Sequence, residues 1–309
     1  MNPLITIVIT TYRRPILLKK ALQSALNQTY ANLEILVIDD NDPKSPEHAA
    51  TKKVVNEFHG VRYLNNSRSI GGALSRNAGI VAAKGEFIAF LDDDDVYLPT
   101  KIEKQYKEYT NHLNDSTRTG LIYTYCKGVD KHNKIVSNYN NNIEGSPIYD
   151  QMMGCVAGTS LWFSPKDVLI DCGMFDDSPS KQDSILLLKM LVKGYQIFRV
   201  PEYLVMYMEN LGDGISGSKI TNIQGIIQYR KLCRSHYDLL GETKQISEIE
   251  YNFSKQLVSL YALNSLSKYG FSEFAHMVMQ HPLRLDNIVA LCKLIAPNMY
   301  KNHIKDGIK

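Results

Sequence analysis

Phe90-Leu91-Asp92-Asp93-Asp94-Asp95 brings an apolar run, Glu86–Leu91, directly up against four consecutive acidic residues. A short unbroken run of Phe, Ile, Ala and Leu reads as a strand buried on both faces. The carboxylates therefore stand at its carboxyl end. The same arrangement recurs upstream: Leu33–Ile38 runs into Asp39-Asp40-Asn41, and Leu4–Thr10 into Thr11-Tyr12-Arg13-Arg14. Helical spacing fills the gaps. Ile16, Leu17, Ala21, Leu22, Ala25 and Leu26 mark a helix over Arg14–Asn27, and further helices are predicted at Gly71–Ala83 and Pro99–His112. Val61–Leu64 and Leu121–Cys126 read as two more strands. Apolar strands alternating with helices predict an α/β fold with a Rossmann-like, mostly parallel nucleotide-binding sheet flanked by helices. Such sheets bind ligands beyond the carboxyl ends of their strands.

Four adjacent carboxylates repel one another: two charges ~5 Å apart cost about 3 kcal/mol at an effective dielectric of ~20. A divalent cation reverses the sign of that term. Hard oxygen donors suit Mg²⁺ or Mn²⁺, which are typically held by one or two carboxylates together with substrate phosphates. The blander reading is that Asp94 or Asp95 only favours the start of the helix near Pro99.

The remaining composition is that of an ordinary folded protein: 309 residues, 44% hydrophobic, 22% charged and a net charge of +3. That charge is too small to argue for a nucleic-acid footprint, and no nucleic-acid partner is expected. The five cysteines form no Cys-x-x-Cys pair, which points to reduced thiols rather than a zinc or disulfide framework. No window approaches the ~18 apolar residues of a membrane span. A cytoplasmic protein is expected, soluble or lying at the inner face of the cell membrane.

Taken together, Ile7-Val8-Ile9-Thr10-Thr11-Tyr12-Arg13-Arg14, Val37-Ile38-Asp39-Asp40-Asn41, Phe90–Asp95, and Ser75-Arg76-Asn77-Ala78-Gly79 followed by Lys84-Gly85-Glu86 resemble the family 2 glycosyltransferases of the GT-A fold, such as those of bacterial capsule and surface-polysaccharide synthesis. The resemblance covers about residues 3–210. It implies an inverting, metal-dependent transfer of a hexose, galactose or glucose, from a UDP-sugar to a saccharide acceptor, with a lipid-linked saccharide as the expected form. Carried over by position, it implies that Thr10 and Tyr12 border the base and that Asp40 accepts the ring N–H of the uracil, a donor an acceptor-only carboxylate can read. It implies Arg76 near the nucleotide, Asp92 and Asp93 near the ribose and diphosphate, and Asp94 as ligand of Mn²⁺ or Mg²⁺.

The acid–base group is sought in the second half. Phe175-Asp176-Asp177, then Ser180-Lys181-Gln182-Asp183 before an apolar helix, resembles the family's base-bearing segment, with Gln182 where Glu is common. Asp183 is the candidate catalytic base; its competing role is a capping box with Ser180. A carboxylate is a weak base at neutral pH, but the acceptor hydroxyl becomes acidic as its bond to the sugar forms, so positioning matters more than basicity. Two departures from the family pattern are Ser69, where Asn is frequent, and the loop 209–216, which lacks a His; Lys219 or Asn210 is the expected substitute.

Thr159–Phe163 and Tyr203–Met208 read as strands, and Asp183–Lys193 as a helix. Trp162 is read as core, with stacking on an acceptor sugar as the alternative. Gly212-x-Gly214-x-x-Gly217 matches a dinucleotide fingerprint but is followed by no second strand, so a mobile lid is the better reading. The expected organisation is a catalytic domain over residues 1–215, divided into a nucleotide-sugar half (1–125) and an acceptor half (126–215), with a helical region over 216–309 and the boundary near Ser216–Ser218. That helical region is expected to pack on the catalytic domain, pair subunits into a homo-oligomer, or present Leu285–Ile295 with Lys293, Lys301, Lys305 and Lys309 to anionic lipid. Two rival functions remain: a catalytically silent sugar-nucleotide-binding scaffold, and a nucleotidyltransferase, which would normally carry a Gly-rich loop where Thr10–Pro15 has no Gly.

Overall fold

The computed structural model describes residues 2–113, 118–209 and 220–297. The strands are β1 (Ile5–Thr11), β2 (Leu33–Asp39), β3 (Val61–Asn65), β4 (Phe87–Asp92), β5 (Val96–Tyr97), β6 (Thr119–Val129), β7 (Ile135–Tyr139), β8 (Phe163–Pro165) and β9 (Gln196–Met208). They form one sheet in the order β3-β2-β1-β4-β8-β6-β9-β5, with β7 paired to β6. The helices are α1 (Pro15–Leu26), α2 (Pro46–Val55), α3 (Gly72–Ala82), α4 (Lys101–Asn111), α5 (Ile148–Met153) and α6 (Lys166–Asp171). They continue as α7 (Gln182–Val192), α8 (Ile220–Arg234), α9 (Thr243–Leu263), α10 (Ser267–Gln280) and α11 (Asp286–Ile295).

The strands β3-β2-β1-β4 are parallel, and their apolar residues Ile5, Ile7, Ile9, Leu36, Val37, Ile38, Ile88 and Leu91 are almost wholly buried, as a sheet covered on both faces requires. Register places Thr10 beside both Ile38 and Asp92, and Thr11 beside Asp39. Three carboxyl ends therefore come level with one another. The sheet then turns mixed: β8 runs antiparallel to both β4 and β6, while β9 runs parallel to β6.

Elements missing from the sequence reading have identifiable causes. Helix α2 starts at Ser45, whose hydroxyl accepts the His48 N–H at 3.1 Å, followed by Pro46 in the first turn. That Ser-Pro signal was legible but masked by a polar helix with few apolar positions. The predicted strand Thr159–Phe163 is corrected. Thr159–Leu161 is a 3₁₀ turn, and pairing resumes only at Phe163, opposite Ala89. The turn is closed by the Leu161 and Trp162 N–H groups donating to the Gly158 and Thr159 carbonyls, and its Ser160 hydroxyl accepts the Asp92 N–H at 3.1 Å. Trp162 is fully buried, stacked on Phe175, and donates its indole N–H to the Ala157 carbonyl at 2.9 Å, which leaves no face for an acceptor sugar.

The chain divides into two compact units. The first holds residues up to Pro147, Cys155–Asp177, and the stretch from Asp183 through β9. The second holds Ile148–Gly154, Ser178–Gln182 and the helices from α8 onward. The predicted boundary at Ser216–Ser218, the glycines Gly212, Gly214 and Gly217, and Asn210, Lys219, Lys301, Lys305 and Lys309 lie outside the described residues. All five cysteines are free.

In the second unit, Glu250 of α9 is a buried hub. It accepts from Arg230 and Arg234 of α8 at 2.6 and 2.7 Å and from the Tyr237 hydroxyl at 2.6 Å. Burial alone would raise its pKa; the hydrogen bonds from Arg234, Tyr237 and Arg230 outweigh burial and hold the carboxyl well below the ordinary range. A carboxyl depressed in the folded state contributes stability above its unfolded pKa of about 4.3 and loses it as pH falls. Glu250→Gln leaves two arginines facing an uncharged amide and should destabilise the protein by about 3–5 kcal/mol in urea melts at pH 7. The wild type should lose stability between pH 5 and 3, and the variant should lose much less.

Candidate active site

The site is built at the carboxyl ends of β1, β2 and β4 in the first unit. Asp92 closes β4 and pairs with Arg76 of α3 at 2.5 Å. Arg76 is only 7% exposed and lies over the Phe175 ring, while the Asp92 side chain is partly exposed, so the pair is half-buried. Helix α3 comes this close because Gly79 meets β1 without a side chain: a Cβ there would sit 2.3 Å from Val8 Cγ1.

Asp93 turns toward β1. Its Oδ2 accepts the Thr11 hydroxyl at 2.7 Å and the Tyr12 N–H at 3.3 Å. Burial, then the Asp94 charge, push its pKa up to about 7, against the pull of Thr11 and Arg14. Asp94 pairs with Arg14 at 2.5 Å, and the same guanidinium nitrogen lies 3.4 Å from Asp93. Burial and the Asp92 charge raise the Asp94 pKa, with Arg14 opposing them. Asp95 is buried and held well above the ordinary range by burial and by Asp94 and Asp92. It does not begin a helix, as one reading suggested. β5 follows it directly, and its Oδ1 accepts the Met208 N–H of β9 at 3.0 Å.

Asp40 is enclosed by four donors. Oδ1 accepts from Asn66 Nδ2 and the Ile70 N–H, both at 2.8 Å; Oδ2 accepts from the Ser69 hydroxyl and the Gly71 N–H, both at 2.9 Å. Its acceptor capacity is thus taken up by the loop ahead of α3, and a base N–H is read here only if one of those donors gives way. Ser69, noted as a departure in the sequence, is one of the four. Its neighbour Asp39 points elsewhere, accepting from Asn41 Nδ2 at 2.7 Å and the Tyr63 hydroxyl at 2.6 Å. Tyr12 is 42% exposed, with the Arg13 guanidinium 4.9 Å from its ring centroid, so it is a free aromatic face and not a core residue. Thr10 is half-buried at the strand end beside Asp92.

Asp183 lies in the first turn of α7 and accepts the Ser184 N–H at 2.7 Å. It forms no capping box with Ser180, whose hydroxyl instead donates to Asn222 Oδ1 at 3.0 Å. The segment Gly158–Ser160 connects Asp183 with the acidic run. A Cβ on Gly158 would lie 3.9 Å from Asp183 Oδ2, and Ser160 Oγ meets Asp92. Asp92 and Asp183, 91 positions apart in the chain, thereby border one segment. Sequence reasoning missed Arg14 and Ser160. The Arg13-Arg14 pair after β1 was a usable signal for the first; the second carried none.

Among the described residues, no cluster of three or more His, Cys, Asp or Glu side chains is arranged to hold a metal. The donor set still fits a hard cation. Asp92 and Asp94 offer carboxylate oxygens, burial and then the neighbouring carboxylates raise Asp93 and Asp94 above ordinary acidity, and Mg²⁺ or Mn²⁺ typically takes its remaining ligands from phosphate and water. A cavity of about 120 Å³ touches Asp94, Lys20, Met206 and Met208. It is smaller than the ~300–1,000 Å³ of small-molecule pockets and is not assigned to a nucleotide.

Comparison with known proteins follows the same lines. Residues 6–165 match the family model described as glycosyl transferase family 2. The putative colanic acid biosynthesis glycosyl transferase WcaA of Escherichia coli K12 is 24% identical over 277 residues, 86% of this chain and 94% of WcaA. The E. coli UDP-Glc:alpha-D-GlcNAc-diphosphoundecaprenol beta-1,3-glucosyltransferase WfgD is 36% identical over 104 residues, 33% of this chain and 39% of WfgD. The match spans 47% of the length of an uncharacterized Methanocaldococcus jannaschii glycosyltransferase and 27% of a Rickettsia bellii one. Among solved structures, Staphylococcus aureus TarS 1-349 with UDP-GlcNAc aligns at TM-score 0.57 and 13% identity, covering 90% of this chain and 89% of TarS 1-349. The Pyrobaculum calidifontis mannosyltransferase PcManGT with GDP-Man and Mn²⁺ aligns at 0.59 and 16%, covering 97% and 87%. At these identities the likeness establishes the fold.

If Asp94 ligates the cation, Mn²⁺ with UDP should raise the wild-type Tm, since a ligand at a hundredfold excess over its Kd adds about 2.7 kcal/mol, or roughly 5 °C or more. Asp94→Asn should lose most of that rise. An equal rise in the variant would remove Asp94 from the ligand set.

Proposed function

The chain belongs to glycosyl transferase family 2, and on that premise we propose that it moves a hexose, galactose or glucose, from a UDP-sugar to a lipid-linked saccharide in surface-polysaccharide synthesis. The observation that supports this reading is that the Gly158–Ser160 segment is bordered by Asp183 at one end and by the Asp92 N–H at the other.

The donor lies over the carboxyl ends of β1, β2 and β4. Tyr12 offers its exposed ring to the base, Thr10 borders it, and Asp40 takes the base N–H as the Ser69 hydroxyl yields. Arg76, through Asp92, and Asp93 line the ribose and diphosphate. Asp94 would hold Mn²⁺ or Mg²⁺, which would supply neutralisation of charge on the departing diphosphate, with Arg14 as the partner of Asp94 when no metal is bound. The acceptor hydroxyl oxygen attacks the anomeric carbon in line, the bond from that carbon to the diphosphate oxygen breaks, Asp183 takes the hydroxyl proton, and UDP leaves. A single displacement inverts the anomeric centre. The printed name of WfgD, with a UDP-glucose donor and a diphosphoundecaprenol-linked acceptor, supports the choice of donor and acceptor class, and that of WcaA supports the polysaccharide setting.

Asp183→Asn should reduce transfer by a factor of 10³ or more while leaving UDP affinity within twofold; removing a positioned general base typically costs about 10²–10⁴. Full activity in that variant would refute the assigned base. Loss of UDP binding in the wild type would refute the donor class.

The outer face of α11 suits a membrane surface. Leu294 and Ala290 pack inward with Tyr251, Val258, Ala262 and Met277, whereas Leu285, Ile288, Val289 and Ile295 are 53–80% exposed. Residues 264–309 hold six basic residues (Lys268, Arg284, Lys293, Lys301, Lys305, Lys309) against three acidic ones (Glu273, Asp286, Asp306), so this stretch carries the chain's entire net charge of +3. An apolar helix face within a basic segment fits anionic lipid. The protein should pellet with phosphatidylglycerol vesicles and not with phosphatidylcholine, and Ile288→Glu should weaken pelleting about tenfold. Self-association without lipid dependence would instead make this face a subunit contact.

A further inference from the structure

The second unit contains an open cleft of about 320 Å³ between α8 and α9, walled by Lys181, Asn222, Asn252, Lys255, Gln256 and Ser259. No carboxylate lines it. Lys255 pairs with Asp286 at 2.5 Å, but both side chains are nearly half exposed, and such solvent-screened pairs are weak and exchange readily for a stronger anion. Lys293 reaches the rim, donating to the Ser259 hydroxyl at 3.0 Å. Lys181 makes no ion pair among the described residues.

Lys181 is also held in an unusual way. Its φ is +59°, a left-handed conformation that is unfavourable for a residue with a side chain and that Gly or Asn adopts more readily. The turn is locked by its neighbours. The Ser178 hydroxyl donates to the Ser180 carbonyl at 2.7 Å, Gln182 Nε2 donates to the Ser178 carbonyl at 2.9 Å, and Ser180 bonds to Asn222. Helix α8 meets this turn at Gly225, where a Cβ would lie 2.0 Å from Ser180 Oγ and 2.8 Å from its carbonyl oxygen. Strain of this kind, sustained by surrounding bonds, is typical of ligand clamps. Here it fixes an ammonium at the mouth of a cleft that already holds a second.

We propose that this cleft binds the diphosphate of a lipid-diphosphate-linked acceptor, with Lys181 and Lys255 as its charged walls. Lysine serves as a point charge for phosphate, and two ammoniums, one of them in a half-exposed pair with Asp286, match a doubly charged diphosphate diester. Ile226 and Leu260 supply an apolar floor suited to the first part of a lipid chain. The ligand's identity rests on the glycosyltransfer reading; the lysine site can be tested without it.

The test is calorimetric titration of the full chain with dodecyl diphosphate below its micellar concentration, with inorganic diphosphate and neutral dodecyl maltoside as the other arms. Dodecyl diphosphate should bind, with Kd raised about tenfold in Lys181→Gln or Lys255→Gln and further in the double variant. Lys181→Arg should stay within about threefold of wild type, which separates lost charge from a disturbed turn. Dodecyl maltoside should not bind measurably. Unchanged binding in the double variant, or loss of binding in Asp94→Asn alone, would overturn the site. Inorganic diphosphate binding as tightly as the dodecyl ester would overturn the lipid-acceptor assignment in favour of free phosphate. Lysine-dependent binding in a protein that fails to bind UDP would sustain the cleft while sinking the donor reading.

Discussion

Four carboxylates in a row at the end of one buried strand must be accommodated, and the carboxyl edge of the first unit is organised around that demand. Each Asp is met by a different part of the chain: Asp92 by Arg76 from α3, Asp93 by Thr11 and Tyr12 at the end of β1, Asp94 by Arg14 ahead of α1, and Asp95 by the Met208 N–H of β9. Two guanidinium groups face four acids. Burial first, and then the charge of neighbouring carboxylates, displaces Asp93, Asp94 and Asp95 toward the protonated form. On the proposed reading, a cation arriving with a nucleotide diphosphate would offset that cost.

The second feature of this edge is the divergence of adjacent residues. Asp39 ends β2 and points into a network with Asn41, Tyr63 and His48, while Asp40 turns the other way and gathers the Asn66–Gly71 loop. Successive residues leaving a strand face opposite sides, so one Asp can brace the sheet edge while the next shapes the loop that leads into α3. Helix α3 then delivers Arg76. The close approach permitted by Gly79 therefore matters to the acidic run although Gly79 touches none of it.

The second unit solves a different electrostatic problem. Glu250 is buried beneath two arginines and a tyrosine hydroxyl, a network that ties α8 to α9. With that interior settled, the same helices have polar and charged side chains left for the cleft around Lys181 and Lys255, and α11 keeps one apolar face inward and another in solvent.

The parallel core was legible because unbroken Ile, Val and Leu runs ending in Asp admit few other arrangements: the residues that make a doubly covered strand are consecutive, and so are those that mark its ligand-binding end. Helix α2 had a local signal in Ser45-Pro46, and the second Arg of Arg13-Arg14 announced a cation at the acidic edge. What the sequence by itself determined was the α/β class, the strand ends at which the carboxylates gather, and a short set of acids. Only the tertiary structure decided which acid faces which partner, that Asp40 is already enclosed, that Trp162 belongs to the core, and that the segment Gly158–Ser160, leading into the 3₁₀ turn Thr159–Leu161, borders both Asp92 and Asp183. Those outcomes depend on contacts between residues tens of positions apart, where pairing is set by strand register and by the space left at single glycines, and neither is written in any local stretch of the chain.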